Sequence, residues 1–146
     1  MGTFTPSNRQ YEQHLREAFA RQTIMTTIGA RLAGVAPGNV EIELDFREDL
    51  TQHHGYLHAG VVTTILDSAC GFAAFTLMPP ESGVLTVEYK VNFVAPARGA
   101  KFLASGRVVR PGRTLTVCNG EVSAIDGEET RLVALMQATM FRLQGP

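Results

Sequence analysis

The chain is short of the usual markers of reactive chemistry. It has two cysteines, Cys70 and Cys118, and neither lies in a CxxC or Cys/His spacing. No disulfide framework or zinc site is therefore expected. There is no Gly-x-Ser-x-Gly elbow, which argues against a serine hydrolase built on that turn. Gly-rich phosphate cradles of the P-loop or Rossmann type are missing too. Charge is sparse and balanced, with a net charge of −1 and a pI near 6.4. That balance gives no electrostatic case for nucleic acid or an anionic membrane as partner. Unpaired cysteines and the lack of a signal segment lead to the expectation of a reducing, cytoplasmic setting.

The most telling shortage is local. No Lys or Arg occurs between Arg47 and Lys90, yet Asp67 sits in the middle of the apolar stretch Ala59-Gly60-Val61-Val62-Thr63-Thr64-Ile65-Leu66-Asp67-Ser68-Ala69-Cys70-Gly71-Phe72-Ala73-Ala74-Phe75. A carboxylate on a core-facing helix costs several kcal/mol to desolvate, so it has to be neutralised, capped by a polar group from elsewhere, or used. The apolar run from Ala59 to Met78 has about the length of a membrane span. Thr63, Thr64, Asp67 and Ser68 at its centre make it a core helix instead, because an acid at mid-bilayer is costly.

At 146 residues with 45% hydrophobic content, the chain has the size of one domain with a substantial core. Residues 1–30 read as a helical extension and 31–146 as the main domain. A helix is expected from Asn8 to about Ile28, capped by Ser7 and ended by Gly29. Pro37-Gly38 turns into the alternating strand Val40 to Phe46, apolar on one face and acidic on the other. The loop from Arg47 to Leu57 precedes the central helix, expected over Ala59 to Leu77 and stopped by Pro79-Pro80. Strands follow at Leu85 to Phe93, Lys101 to Val109, Thr114 to Ile125 and Thr130 to Leu143, with a tight hairpin at Asp126-Gly127. In the first of these, Leu85, Val87, Tyr89, Val91 and Phe93 alternate with polar residues. The simplest packing is α+β, a curved antiparallel sheet wrapped around one long central helix with an extra N-terminal helix.

Three motifs occur in order along this frame. The first runs Gln52, a short Gly-containing loop, His58-Ala59-Gly60 at the helix start, then Asp67 nine residues after the histidine. The second is the strand end Phe93-Val94-Ala95-Pro96. The third is the hairpin Arg110-Pro111-Gly112-Arg113-Thr114-Leu115. Together they resemble the hotdog fold, and specifically PaaI-type acyl-CoA thioesterases, over roughly Val40 to Leu143. Two positions depart from the family pattern: Ala59 stands for its first Gly, and Gln52 where many members have Asn.

The resemblance implies thioester hydrolysis with Asp67 as general base on a water or as direct nucleophile, and these two routes stay open. A helix N-terminus suits a developing oxyanion, which gives the Ala59 N–H its role, with the Gln52 amide as second donor. Thr86 matches a Ser/Thr position that helps hold the water, and Gly60 belongs to the substrate-binding turn. Helical rise puts Asp67 roughly 12 Å along the axis from Ala59. The resemblance resolves that gap through a dimer whose sites take the acid from one subunit and the loop from the other. It also implies assembly into a homotetramer and a substrate that brings its own coenzyme A, with no further cofactor.

Other residues have plainer readings beside these. His53 and His54 are loop residues, and His58 orients the helix entrance by bonding backbone or Gln52. The histidine spacing lacks the further ligands a metal needs. Cys70 is core packing. Arg110 and Arg113 suit CoA phosphates or a solvated hairpin tip equally, and Asn92 and Lys90 are similarly balanced between substrate and solvent. Phe72, Phe75, Leu77, Met78, Leu85 and Phe93 fit an aromatic or a medium-chain acyl group. A hotdog hydratase or dehydratase, or a non-catalytic acyl-CoA binding module, are the competing functions.

Overall fold

A computed structural model of the chain describes residues 3–145; residues 1, 2 and 146, the ends of the two expected segments, lie outside the described residues. The elements run α1 (Tyr11–Arg21), α2 (Thr23–Ile28), β1 (Arg31–Ala36), β2 (Asn39–Asp45), a 3-10 turn (Glu48–Leu50), α3 (Ala59–Phe75), β3 (Gly83–Phe93), β4 (Lys101–Arg110), β5 (Leu115–Asp126) and β6 (Glu129–Leu143). The strands form one antiparallel sheet in the order β1-β2-β4-β5-β6-β3. Helix α3 packs along its inner face. This is the hotdog arrangement.

The sheet accepts the helix because its inner face alternates large and very small residues. On β4, Phe102, Ala104, Gly106 and Val108 are all buried. A Cβ on Gly106 would collide with the Ala69 backbone carbonyl, and one on Gly120 of β5 would meet Cys70 Sγ and Leu66 Cδ1, each at 2.7 Å. Glycine at these two places lets the helix backbone lie almost on the strands. The helix contributes Val62, Ile65, Leu66, Ala69, Cys70 and Ala73, each with no exposed surface. At the far end Thr76 ties the layers together. Its hydroxyl donates to the Ala73 carbonyl and accepts the Gly38 N–H, both at 2.7 Å.

Four expectations need correction. The N-terminal helix is broken at Gln22, which leaves helical geometry (φ −77°, ψ 94°) before α2 restarts. Ser7 is not its cap. Asn8 organises the entrance instead, its Oδ1 accepting the Gln10 N–H at 2.9 Å and its amide meeting His14 Nδ1 at 2.7 Å. Gly29 does end the segment, at φ 78°. Strand β1 was not expected at all; Leu32-Ala33-Gly34-Val35-Ala36 shows no alternation, and it is a strand because it pairs with β2 across the Pro37-Gly38 turn.

Strand β3 differs most. It pairs with β6 and forms an edge of the sheet, since β4 is already flanked by β2 and β5. Thr86 faces Met140 and Glu88 faces Thr139, so Val87 is an extra residue, a β-bulge. Bulges re-aim the side chains on either side of them. Val84 and Thr86 therefore point toward α3 before the bulge, and Tyr89 and Val91 do so after it. Leu85 and Val87 are turned out, at 53% and 56% exposed. The unbroken alternation read from the sequence is in fact two registers joined.

Candidate active site

Helix α3 begins where the loop from Gln52 to Leu57 delivers the chain to it. A turn closes this loop, with Gln52 N–H donating to the Tyr56 carbonyl (2.9 Å), Gly55 N–H to the Gln52 carbonyl (3.0 Å), and Gly55 in the left-handed region at φ 84°. The Gln52 side-chain Oε1 accepts the His54 N–H. His58 is the N-cap, and its Nδ1 accepts the Gly60 N–H at 2.8 Å. An imidazole thus does the work usually done by Ser or Asp at this position. The cap bonds backbone, not Gln52. It leaves the Ala59 N–H without an acceptor among the described residues, at the end of a helix where partial positive charge accumulates.

Farther along α3, the residues Gly60, Thr63, Thr64, Asp67, Ser68 and Gly71 recur at helical spacing and form one small, polar face. The first five of these line an open groove of about 570 Å³, whose other walls are Gln22, Ile24, Tyr89 and Val91. A recess of about 70 Å³ lies against the same carboxylate, lined by Gln22, Asp67, Ser68, Gly71, Phe72, Val84 and Thr86. Thr63 and Thr64 turn their hydroxyls back onto the Ala59 and Gly60 carbonyls, both at 2.8 Å. They line the groove without presenting a free donor.

Asp67 is partly buried, and its Oδ1 accepts the Thr86 hydroxyl at 2.7 Å. No Lys or Arg lines the groove or the recess. Burial raises the Asp67 pKa above the ordinary aspartate value, and the Thr86 hydrogen bond works against that rise. The other carboxylate oxygen has no partner among the described residues. Asp67 is thus a carboxylate with one oxygen anchored and one open, in surroundings that make it more basic than usual. Cys70, one turn on, is fully buried, and burial drives its thiol pKa up so far that it is inert as a nucleophile.

The remaining predicted residues lie apart from this groove within one chain. Gln52, His58 and Ala59 belong to the exposed helix entrance. Asn92 and Lys90 face the opposite side of the sheet, in a shallow depression with Arg107 and Gln137. Arg110 ends β4, and Arg113 lines a cleft at the other end of α3 with Phe4 and Arg142. Among the described residues no group of three His, Cys, Asp or Glu is placed to hold a metal, and no helix is long and apolar enough to cross a membrane. Sequence reasoning missed Gln22 and Ser68. The polar face of α3 was a signal for Ser68, but a helix break without Gly or Pro gave none for Gln22.

The model for the "Thioesterase superfamily" matches residues 54–131, more than half of the chain. The chain belongs to the thioesterase superfamily. Among solved structures, this thioesterase is similar to a thioesterase family protein from Silicibacter pomeroyi, at 52% identity and a TM-score of 0.91, over 92% of this chain and 99% of that one. The PaaI protein of E. coli has the same fold, at a TM-score of 0.83 and 15% identity over 95% and 97% of the two chains. Acyl-coenzyme A thioesterase 13 of Homo sapiens is 27% identical over 79% of this chain and 81% of its own. This thioesterase is a thioester hydrolase by family, and Asp67 is the one acid in its groove.

The pKa rise has a consequence for stability. A carboxylate whose folded pKa exceeds its unfolded value binds more protons folded than unfolded, so it costs stability as pH climbs through that interval. Asp67→Asn removes the cost while keeping an acceptor for Thr86. Thermal unfolding is expected to give the variant a higher Tm than wild type at neutral pH, with the gain shrinking toward acidic pH where wild-type Asp67 is protonated. A pH-independent difference contradicts the assignment of burial as the cause.

Proposed function

We propose that this thioesterase hydrolyses an acyl-CoA thioester to the free acid and CoA, with Asp67 as the reacting carboxylate. The observation that carries this reading is the state of Asp67, partly desolvated, with no cation beside it among the described residues, anchored by Thr86 through one oxygen and open to a groove through the other. As general base it takes a proton from water as the oxygen attacks the thioester carbonyl. The tetrahedral oxyanion then collapses and the C–S bond breaks, releasing CoA as a thiolate that takes up a proton. As nucleophile it forms a mixed anhydride with loss of the same thiolate, and water cleaves the anhydride in a second step. Either route needs donors for the oxyanion, and the unpaired Ala59 N–H with the Gln52 amide suits that need. No metal or cofactor enters the scheme, since coenzyme A arrives as part of the substrate. The name of the human relative supports an acyl-CoA substrate.

The donors and Asp67 do not share a cavity in one chain, and this favours a site completed by a second copy. Strand β3 supports that reading, as a sheet edge carrying exposed Leu85, Val87, Tyr89 and Phe93. An unprotected apolar edge is a pairing surface. On this reading the dimer brings the helix entrance of one subunit to Asp67 of the other, and further pairing gives a homotetramer. Arg110 and Arg113 then have the chemistry to hold the CoA phosphates.

Free-thiol release from aromatic and aliphatic acyl-CoA esters tests the assignment. Asp67→Asn is expected to lose at least ~10²-fold in kcat with binding retained. Binding without hydrolysis by the wild type instead favours a binding module. The shared site has its own test. Asp67→Asn and Gln52→Ala chains, impaired singly, are expected to recover roughly a quarter of wild-type activity when refolded together in equal amounts, because about half the dimers are hybrid with one intact site in two. No recovery beyond the sum of the two contradicts a site built across subunits.

A further inference from the structure

The break between α1 and α2 serves the groove. Leu15 and Met25, essentially without exposed surface, anchor the helical segments on either side of it. At Gln22 the backbone leaves the helix with both of its polar groups used: its N–H donates to the Phe19 carbonyl (3.0 Å) and its carbonyl accepts the Met25 N–H (3.0 Å). Only the side chain remains, and it reaches over α3. Gln22 Oε1 accepts the Ser68 hydroxyl at 3.3 Å, and both residues line the groove and the recess beside Asp67. The other end of the carboxamide has no partner among the described residues. That end opens on the groove, where water or a bound ligand can meet it.

The position of this amide defines what it can read. A thioester carbonyl attacked at Asp67 places the first carbons of its acyl group in or beside the recess. At about 70 Å³ the recess admits only a few heavy atoms, given that one water needs about 10–15 Å³ on the same measure. Gly71, Phe72 and Val84 form its apolar walls, and Gln22, Ser68, Asp67 and Thr86 its polar ones. Asp67 and Thr86 are taken up with the reacting centre, so the Gln22–Ser68 pair is the polar contact left for the acyl group. We propose that Gln22, held by Ser68, is a specificity-determining residue that selects a compact acyl group bearing a hydroxyl near the thioester. A hydroxyl both donates and accepts, and so satisfies whichever end of the carboxamide faces it. The inference rests on the thioesterase reading of Asp67 and adds the substrate class.

The test compares butyryl-CoA with 2-hydroxybutyryl-CoA and 3-hydroxybutyryl-CoA, in wild type and in Gln22→Leu. At least one hydroxylated ester is expected to exceed butyryl-CoA about tenfold in kcat/KM, and Gln22→Leu to collapse that ratio toward one. A second variant, Ser68→Ala, is expected to lower the ratio in the same direction by loosening the carboxamide. Equal kcat/KM for all three esters in the wild type overturns the proposal. So does a Gln22→Leu variant that slows every ester by the same factor, which marks a general positioning role. The same ratios are read in Kd by titrating the esters into Asp67→Asn with and without Gln22→Leu. A binding preference that depends on Gln22, without turnover by wild type, refutes the hydrolytic reading and leaves the specificity assignment standing.

Discussion

The site depends on one contact, the hydrogen bond from the Thr86 hydroxyl to Asp67. It joins an edge strand to the central helix where a carboxylate has lost much of its water and gained no cation. Without a donor there, desolvation alone acts on Asp67, and the acid becomes a poor candidate for an ionised base. A salt bridge in the same place pulls the other way and makes the carboxylate a weaker base. One neutral hydroxyl lies between these limits. It holds a single oxygen and leaves the second free.

That contact depends in turn on the bulge at Val87. In a regular strand, Thr86 would share its face with Glu88, Lys90 and Asn92. The extra residue allows Val84 and Thr86 to face the helix and still lets Tyr89 and Val91 line the groove farther on. It also turns Leu85 and Val87 outward on an edge with no neighbour. A single irregularity thus places the partner of Asp67 and generates the apolar surface to which we assign the second subunit. The same strand serves chemistry on one side and association on the other.

Much of this was legible in the residues. The core helix could be read because Pro79-Pro80 limits how far it can run, although it stops earlier, at Phe75, and because a carboxylate in an otherwise apolar run has to be accounted for. Asp67 stands out as an acid without a local cation, Thr86 enters through the resemblance in motif order, and the structure joins them. What stayed hidden was set by pairing and not by local pattern. Strand β1 has small residues without alternation and exists only against β2. The bulge was masked because apolar residues occupy both registers, so Leu85 and Tyr89 looked like one face. The edge position of β3 is a property of the whole sheet. Gln22 was invisible because nothing in Arg21-Gln22-Thr23 punctuates a helix; the break follows from anchoring Leu15 and Met25 into the same core.

The most direct check on this account is the pH dependence of kcat/KM on one hydrolysed ester, in wild type and in Thr86→Val. If Asp67 must be ionised to react, the rate rises with pH along an acid limb that lies above the ordinary aspartate range. Removing the hydroxyl takes away the one hydrogen bond among the described residues that favours the carboxylate, so the limb is predicted to move to still higher pH in Thr86→Val. A limb that stays in place, or moves to lower pH, contradicts the claim that a desolvated Asp67 steadied by Thr86 is the reacting group.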